Sequence, residues 1–468
     1  MRPKPVQPTD PAARPADFPA VADDLSEVAD SALLAEARAW LDGHVNLEAT
    51  AGDTDGLTLA PMRELLASLG DPQADYPAVH ITGTNGKGSV AALIAALAGA
   101  WGMTVGVYSS PHVEHLNERM TIGGDPIDDA GLAELLSHLR LVADHLAKSR
   151  VGTPPSWFEL VTAAALRWFA DSAVDLAVVE VGKLGRYDAT NVVNSEVAVI
   201  TNIGRDHTDG RPGWEQEVMG EKAGILHPGT VAVLGPIDPD LVAIAAGESP
   251  GEMLVDGQHF ELEENRPAVG GRLVTVRTPK ARYDDVYVSL FGAHQGENAA
   301  LAIAAFEALV DQKLDDDLLV ALGDVNIPAR FEMVARQPLV VIDGAHNPDG
   351  LAASAETLAD QFTVLGQVIW VVGMMRDKDP DAMLDAIEAS GARCDLVVCC
   401  APDWPRALSA AELAAAIRNR GIDAETAGDV AEAVDRALAL STEEDAVVVT
   451  GSLYTAGAAR LHMAAANK

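Results

Sequence analysis

The sequence predicts an α/β protein of two domains, each built on a mostly parallel sheet. The chain of 468 residues is too long for a single hydrophobic core. Short apolar runs alternate with alanine-rich stretches of helical length in both halves, which is typical of doubly wound sheets. At 79–101 a strand, a glycine-rich turn and a helix follow one another, the layout of a phosphate-binding loop. We therefore expect an N-terminal P-loop-type doubly wound domain and a smaller C-terminal Rossmann-like α/β domain.

Composition narrows the classes of protein to which this chain can belong. Hydrophobic residues make up 48% of it, yet no apolar run reaches transmembrane length. The formal net charge of −37 argues against nucleic acids and anionic membranes as partners. The only cysteines, Cys394, Cys399 and Cys400, fall in one predicted strand, which suits buried thiols in a reducing cytoplasm better than disulfides. We expect a monomeric, cytoplasmic protein that acts on small molecules.

Two changes in composition set the predicted domain boundaries. Residues 1–30 are rich in proline, alanine and aspartate and carry no secretory signal, so we predict a disordered extension there. The stretch from Asn326 to Glu332 is predicted to be a linker. These limits give an N-terminal domain at 31–325 and a C-terminal domain at 326–468.

Apolar periodicity places the regular elements along the chain. In the N-terminal domain it predicts strands before the glycine-rich loop and at Thr104–Tyr108, Asp175–Val181 and Val197–Thr201. Helices are predicted to begin near Ser31, Pro61, Ser89, Asp129, Trp157 and His294. Residues 230–287 are predicted to mix short strands with turns. In the C-terminal domain, strands are predicted at Leu339–Ile342, Val368–Val372, Leu396–Cys400 and Ala446–Thr450, and helices at Ala410–Asn419 and Val430–Leu440.

The loop after the first predicted strand has the chemistry of a phosphate site. Its glycines permit left-handed backbone and close approach of phosphate oxygens, and its lysine supplies a mobile positive charge. The strict P-loop pattern is not met, because Gly88 separates Lys87 from Ser89. An ordinary strand–turn–helix corner with a surface lysine is the alternative. The candidate phosphate-binding residues are Gly83, Thr84, Asn85, Gly86, Lys87, Gly88 and Ser89.

Three polar residues that follow predicted parallel strands indicate a metal site. Ser110 comes after the strand Thr104–Tyr108, Glu180 lies near the end of an apolar run, and His207 follows the strand that ends at Thr201. The carboxyl ends of parallel strands meet at one edge of a sheet, where ligands bind. Oxygen donors that converge there suit Mg²⁺, although histidine is an unusual ligand for that ion. A solvated strand end at Glu180 is the alternative.

Further motifs follow the glycine-rich loop in a fixed order. They are Ser109–His112, Glu180–Gly182, Asp188–Asn191, Asp206–His207, Glu221–Ile225, Pro328–Arg330, Asp343–Pro348, Asp377–Asp379 and Gly451–Tyr454. Together they resemble the Mur ligase superfamily and, within it, the folylpolyglutamate synthase/dihydrofolate synthase family. The resemblance implies an ATP-binding domain of the Mur ligase central type at 31–325 and a Mur ligase C-terminal-type domain at 326–468. It implies a ligase that adds L-glutamate to a folate or dihydropteroate carboxylate through an acyl-phosphate.

The resemblance also implies how nucleotide and metal are held. It places the phosphate loop around Lys87, with Ser89 assisting. It implies magnesium ligands at Ser110, Glu180 and His207, the same three residues that the strand ends indicate. The implied cofactors are ATP and Mg²⁺, and the implied small-molecule substrates are a pterin or folate, L-glutamate and ATP.

Four motifs further along match other functional positions of the family. Lys222 matches a lysine that is typically carbamylated, which would turn an ammonium donor into an anionic oxygen ligand for a second metal. Asn298 and Arg330 match positions that hold ATP. Asp343 and His346 match a pair in the second domain that faces the acyl-phosphate, and either can accept the proton that the attacking amine must lose.

Two segments depart from the family's pattern and leave alternatives open. The loop 182–188 is Gly-Lys-Leu-Gly-Arg-Tyr-Asp where the family usually has Gly-Leu-Gly-Gly-Arg-Leu-Asp, and 208–214 also differs. One alternative is a Mur-type ligase of peptidoglycan precursors, against which the form of the Asp343–His346 motif weighs. The other is a nucleotide-binding paralogue without ligase activity, against which the complete set of phosphate and metal residues weighs.

Overall fold

A sheet of eight strands forms the centre of the first domain in the computed structural model, which describes residues 22–46, 58–149, 154–205 and 211–466. Its strands are β1 (Ala78–Thr82), β2 (Val105–Tyr108), β3 (Met120–Ile122), β4 (Asp125–Pro126), β5 (Leu176–Glu180), β6 (Ser195–Ile200), β7 (Val231–Leu234) and β8 (Glu252–Val255). They lie in the order β4-β3-β2-β5-β1-β6-β7-β8. The strands from β2 to β8 in this order pair in parallel, whereas β3 and β4 add an antiparallel edge. The central strands β1 and β5 are buried along their whole length, which explains their continuous apolar runs.

Helices cover both faces of this sheet. They are α1 (Ala22–Asp42), α2 (Ala60–Ser68), α3 (Lys87–Ala100), α4 (Asp129–Ser149), α5 (Trp157–Asp171), α6 (Trp214–Ala223), α7 (Pro239–Gly247) and α8 (Ala293–Val310). Because side chains alternate along a strand, Val79 and Ile81 of β1 pack with α3 and α8, while Ala78 packs with α2, α4 and α5 on the other face. In the described ranges, no helix has both the length and the apolar character needed to cross a bilayer.

A small antiparallel sheet connects β8 to α8. Its strands are β9 (Glu261–Ala268), β10 (Gly271–Arg277) and β11 (Arg282–Val288), in the order β11-β10-β9. Val274, Val276 and Tyr283 from this sheet join the core that contains α3 and α8. The short strands and turns predicted for 230–287 are present, but the prediction missed the helix α7 between β7 and β8. A one-turn helix, α9 (Asp316–Leu319), and a 3₁₀ turn at Val320–Asp324 follow α8.

The second domain is a six-stranded sheet with helices on both faces. Its strands are β12 (Glu332–Arg336), β13 (Leu339–Ile342), β14 (Val368–Val372), β15 (Leu396–Cys399), β16 (Ala424–Thr426) and β17 (Ala446–Thr450), in the order β12-β13-β17-β14-β15-β16. Only β12 in this sheet is antiparallel to its neighbour. The helices are α10 (Pro348–Gln361), α11 (Pro380–Ser390), α12 (Ala410–Asn419), α13 (Val430–Leu440) and α14 (Leu453–Ala466). The predicted two-domain α/β class is confirmed; the predicted boundary at 325/326 falls between the 3₁₀ turn and β12.

The first helix corrects one prediction. Helix α1 begins at Ala22 and not near Ser31, so residues 22–30 are helical and do not belong to the predicted disordered extension. This stretch contains neither proline nor glycine, and it continues a helix whose later turns are anchored in the core by Leu34, Ala37 and Leu41. Residues 1–21, the rest of that predicted extension, lie outside the described residues.

The two domains touch where α14 lies against the loop after β2. A Cβ atom added to Gly457 of α14 would lie 1.9 Å from the carbonyl oxygen of Val113. Three residues further along α14, the Arg460 guanidinium pairs with Glu114 of the first domain and, at 2.6 Å, with Glu332 of the second. A backbone contact this close is possible only for glycine.

We predict that Gly457→Ala destabilises the protein by about 1–3 kcal/mol, because α14 must move away from a backbone carbonyl that cannot yield easily. Urea unfolding monitored by circular dichroism measures the change. The matched control is Gly99→Ala at the exposed end of α3, where an added Cβ meets nothing within 4 Å. That control should be neutral or stabilising by up to about 1 kcal/mol. Equal stability of Gly457→Ala and the wild type would contradict the contact.

Candidate active site

The glycine-rich loop is fixed in a conformation that only glycine allows. Gly83 and Gly86 have φ angles of 151° and 82°. A Cβ on Gly83 would lie 1.8 Å from Thr201 Oγ1, and one on Gly86 would lie 2.4 Å from Asn298 Oδ1. Helix α8 and the residue that follows β6 therefore enclose the loop closely. Asn298 is held by a hydrogen bond of 3.0 Å from its Nδ2 to Gln295 Oε1.

Some backbone amides of the loop already donate hydrogen bonds within the protein, and others are free to bind a ligand. Asn202, just after β6, accepts from the Thr84 amide with its carbonyl oxygen at 3.1 Å and from the Asn85 amide with Oδ1 at 2.9 Å. The amides of Lys87, Gly88 and Ser89 begin α3 and have no acceptor within the helix. A phosphate can bind at that helix terminus, where the backbone dipoles also favour negative charge.

Lys87 lies over the mouth of the loop. Its ammonium donates to the carbonyl oxygens of Gly83 at 3.2 Å and Thr84 at 3.3 Å. Burial raises the pKa of Glu180, and the Lys87 charge opposes this rise, so the ammonium lies within the electrostatic reach of that carboxyl. The predicted phosphate loop and the predicted metal ligand Glu180 are thus neighbours.

Glu180 and Ser110 meet at the carboxyl ends of β5 and β2. The Ser110 amide donates to Glu180 Oε2 at 3.3 Å, and the Ser110 hydroxyl is buried with no hydrogen-bond partner among the described residues. Burial raises the pKa of Glu180, while the charges of Lys87 and Arg330 act in the opposite direction. A buried carboxylate beside an unsatisfied hydroxyl favours a cation at this position.

The donor chemistry here fits Mg²⁺. Ser110 and Glu180 offer a hydroxyl and a carboxylate oxygen, and both are hard ligands of the kind Mg²⁺ prefers. The described residues contain no group of three or more His, Cys, Asp or Glu side chains suited to a metal, so the site depends on additional ligands. His207, the third predicted ligand, lies outside the described residues. Lys222, near the end of α6, is 4% exposed.

The loop that departs from the family's pattern is tied to β1. Asp188 accepts from the Lys183 amide at 2.9 Å and from the Thr190 hydroxyl at 2.5 Å, and that hydroxyl also contacts His80 Nε2 at 2.9 Å. His80 is fully buried, and burial lowers its pKa to about 3, so its ring is neutral. Leu184, where the family usually has glycine, takes a φ of 60°. The loop therefore keeps a left-handed conformation at a residue for which it is strained.

The second domain contributes Arg330, Asp343 and His346. Asp343 accepts from the amides of Phe331 at 2.6 Å and Ala345 at 2.8 Å. Burial raises the pKa of Asp343, and the Arg330 charge opposes this shift as it does at Glu180. The charge of Arg330 thus acts on a buried carboxyl of each domain. His346 Nδ1 lies 3.0 Å from the Gly344 carbonyl oxygen.

Sequence reasoning missed two residues that hold this arrangement. Asn202 positions the front of the phosphate loop, and His80 anchors the loop after Glu180. Asn202 follows the end of β6, and His80 is a polar residue in the middle of the otherwise apolar strand β1; these positions are the signal that the sequence offers. Their contacts join residues about a hundred positions apart, so no local pattern indicates them.

A phosphate-loop arrangement, a buried carboxyl beside it and an arginine from the second domain define an ATP-dependent ligase of the Mur type. Residues 81–306 match the model of the Mur ligase middle domain, and residues 329–453 match that of the Mur ligase glutamate ligase domain. The dihydrofolate synthase/folylpolyglutamate synthase of Mycobacterium tuberculosis is 38% identical over 438 residues, which are 86% of this chain and 89% of that protein. The Bacillus subtilis protein of the same name is 33% identical, with 90% and 96% covered. The chain belongs to the dihydrofolate synthase/folylpolyglutamate synthase family.

Solved structures agree with this assignment. Folylpolyglutamate synthase of Mycobacterium tuberculosis in complex with ADP has a TM-score of 0.86 at 36% identity and covers 93% of this chain and 99% of its own. A bifunctional folylpolyglutamate synthase/dihydrofolate synthase with Mn, AMPPNP and L-glutamate bound has a TM-score of 0.80 at 28% identity, with 93% and 98% covered. The predicted family, the predicted ligase class and the predicted use of ATP with a divalent metal are confirmed.

We predict that Glu180→Gln raises the Mg²⁺ concentration needed for half-maximal activity about tenfold or more, and that excess Mg²⁺ restores part of the activity. Without metal, the variant should be at least as stable as the wild type at pH 8. The reason is that the pKa of Glu180 is raised in the folded protein, so ionising this carboxyl lowers the free energy of unfolding. This loss of stability grows as the pH rises through that pKa.

Magnesium titrations of phosphate release and thermal melts without metal measure these two effects. The matched control is Glu307→Gln, a buried glutamate that accepts from Tyr283 and Thr278 away from the site. That control should lose stability and keep the wild-type response to Mg²⁺. If the Mg²⁺ titration of Glu180→Gln overlays that of the wild type, Glu180 is not a metal ligand.

Proposed function

We propose that this chain joins L-glutamate to the carboxyl group of a folate or dihydropteroate, with ATP converted to ADP and phosphate. The observation that carries the proposal is the convergence of the phosphate loop, Glu180 and Arg330 between the two domains. The middle and glutamate ligase domains of the Mur family cover the same parts of the chain. Relatives named dihydrofolate synthase/folylpolyglutamate synthase support the pair of pterin substrates.

In the first step, an oxygen of the substrate carboxylate attacks the γ-phosphorus of ATP. The bond to the β-phosphate oxygen breaks, ADP leaves, and an acyl-phosphate forms. Positioning and charge neutralisation supply most of the catalysis in such a transfer. The amides at the start of α3 and the Lys87 ammonium bind the phosphates, and Arg330 balances the charge from the second domain. Ser110 and Glu180 would hold Mg²⁺, which would supply charge neutralisation at the phosphate oxygens.

In the second step, the neutral amine of glutamate attacks the acyl carbon, and phosphate leaves as the amide forms. The nitrogen must lose a proton, and His346 is the acceptor that we propose. We assign Asp343 a positioning role, because both of its oxygens already accept backbone amides around Arg330 and Gly344. The two domains shield the acyl-phosphate from water, which would otherwise hydrolyse it.

We propose a cytoplasmic monomer as the working form. Among the large apolar side chains exposed in the described residues, Leu141 on α4, Val269 between β9 and β10, and Leu365 before β14 lie on separate elements. Apolar residues that are exposed singly need no partner to cover them. The three cysteines are unpaired, which suits a reducing compartment.

Phosphate release in the presence of ATP, glutamate and either dihydropteroate or a reduced folate tests the function. We predict release that depends on both glutamate and the pterin, with a loss of about a hundredfold or more in Lys87→Ala, the scale of removing one charge-stabilising donor. Lys280→Ala, which removes a partly exposed lysine paired with Asp311, is the matched control and should be active.

Each outcome separates one interpretation from the others. Release with a UDP-linked peptidoglycan precursor in place of the pterin would indicate the alternative Mur-type ligase. ATP binding without release under any condition would indicate a paralogue without ligase activity. The loop 182–188, whose sequence differs from the family's pattern, gives this second alternative little support. Leu184 has the left-handed φ that glycine favours, and Asp188 accepts from the Lys183 amide just after Glu180.

We also propose that Lys222 carries a carbamate. It is a buried lysine near the end of α6, and the backbone of Glu221 and Lys222 lies against Gly185 of the loop that follows Glu180. Carbamate forms when the unprotonated amine adds to CO₂ and a proton is released, and it is favoured where nearby cations stabilise the anion. The modified side chain would add anionic oxygens to a site whose described ligands are Ser110 and Glu180.

We predict that Lys222→Ala abolishes activity and that short carboxylates restore part of it by replacing the missing oxygens. In the wild type, ¹³CO₂ should give a carbamate ¹³C signal that is absent from Lys222→Ala but present in Lys148→Ala, which alters an exposed lysine of α4. Removal of bicarbonate at mildly acid pH should lower activity. A high-resolution map with ATP and magnesium bound that shows a bare ammonium at Lys222 would contradict the proposal.

A further inference from the structure

A pair of asparagines links the phosphate loop to the second domain. Asn347 Nδ2 donates to Asn85 Oδ1 at 2.9 Å, and Asn85 Nδ2 donates to Asn347 Oδ1 at 3.3 Å. The two side-chain amides therefore pair reciprocally across the domain boundary. Asn85 lies in the middle of the phosphate loop, while neither step of the proposed reaction uses Asn347.

The second domain holds Asn347 rigidly. It is the N-cap of α10, its Oδ1 accepts from the Gly350 amide at 2.8 Å, and it is 1% exposed. An N-cap bond fixes the side chain relative to the helix that follows. With Oδ1 oriented by the helix, the plane of the side-chain amide is set, and an N–H of Nδ2 points at Asn85 Oδ1.

Asn85 is held from the first domain as well. Its amide donates to Asn202 Oδ1 at 2.9 Å, and its carbonyl oxygen accepts from the Thr201 hydroxyl at 2.5 Å. The end of β6 thus fixes the backbone of Asn85, and the start of α10 fixes its side chain. Without the second domain in place, the side-chain amide of Asn85 would lose Asn347, its one hydrogen-bond partner among the described residues.

We propose that Asn347 is a positioning residue that couples the second domain to the phosphate loop, an inference that rests on the proposed nucleotide site at this loop. When the domains are docked as in this structure, the amide pair holds the loop in the shape that receives phosphate. Nucleotide binding must then favour the docked arrangement to the same degree, because coupling between two equilibria is reciprocal. The second domain thereby contributes to nucleotide affinity through its contact with the side chain of Asn85.

Asn347→Ser tests the coupling without removing the helix cap. Serine caps helices as well as asparagine but is too short to reach Asn85. We expect the dissociation constant of ADP with Mg²⁺, measured by titration calorimetry on the full chain, to rise about tenfold, as the loss of two hydrogen bonds implies. The melting temperature should remain near that of the wild type. Asn347→Ala, which also loses the cap, should show the same loss of affinity together with a lower melting temperature.

A double-mutant cycle separates coupling from a merely structural role. In an Asn85→Ala background, Asn347→Ser should have no further effect on ADP affinity, because the pair is already broken. The matched control is Arg460→Gln, which breaks a different contact between the domains. Its effect on ADP affinity, whatever its size, should be the same in the wild type and in Asn85→Ala.

The outcomes distinguish this inference from the proposed function. If the wild type binds ADP and Asn347→Ser binds it equally well, the coupling is overturned and the nucleotide site stands. Additive losses for Asn85→Ala and Asn347→Ser would likewise overturn the coupling. If the wild type binds no ADP with Mg²⁺, the phosphate loop assignment fails, and the coupling fails with it.

Discussion

The buried carboxyl of Glu180 is the constraint around which the site is arranged. A buried carboxylate needs positive charge nearby, and here Lys87 of the first domain and Arg330 of the second supply it. The burial of Glu180 follows from its place at the end of β5, between β1 and β2 in the sheet. The sheet order thus brings the phosphate loop, the Ser110 loop and the Glu180 loop to one edge. The second domain completes the charge balance of this edge.

The sequence predicted the elements whose signals are local. The strands Leu339–Ile342, Val368–Val372 and Ala446–Thr450 have the predicted limits, because each is an apolar run bounded by polar or turn residues. The glycine-rich loop was recognisable for the same reason. The start of α1 was missed, since nothing in 22–30 marks a boundary and only its packed later half was apparent. The antiparallel edge β3–β4 escaped prediction because both strands are very short.

Contacts between distant residues account for most of what the sequence did not reveal in the site. His80 contacts Thr190, Asn202 contacts Asn85, and Asn347 contacts Asn85 from the other domain. In each case the polar side chain is typical of its local setting, a strand, a strand end or a helix cap. The contact with a distant residue becomes visible only in the tertiary structure. The loop 182–188 shows the opposite case: Leu184 has a side chain and still takes a left-handed φ, because Asp188 and Thr82 of β1 hold the loop on both sides.

The contact between Gly457 and the Val113 carbonyl limits how this protein can be recombined with its relatives. Because the helix backbone touches the loop after β2, the two domains are not interchangeable modules joined by a neutral surface. A chimera that takes its second domain from a homologue would need a glycine at this position of the last helix, or a loop that retreats from it. Since the same loop begins at Ser110, a misfit there would displace the candidate metal ligand. The residues at positions 113 and 457 are therefore expected to vary together among relatives, so both sides of the domain interface should change as a pair.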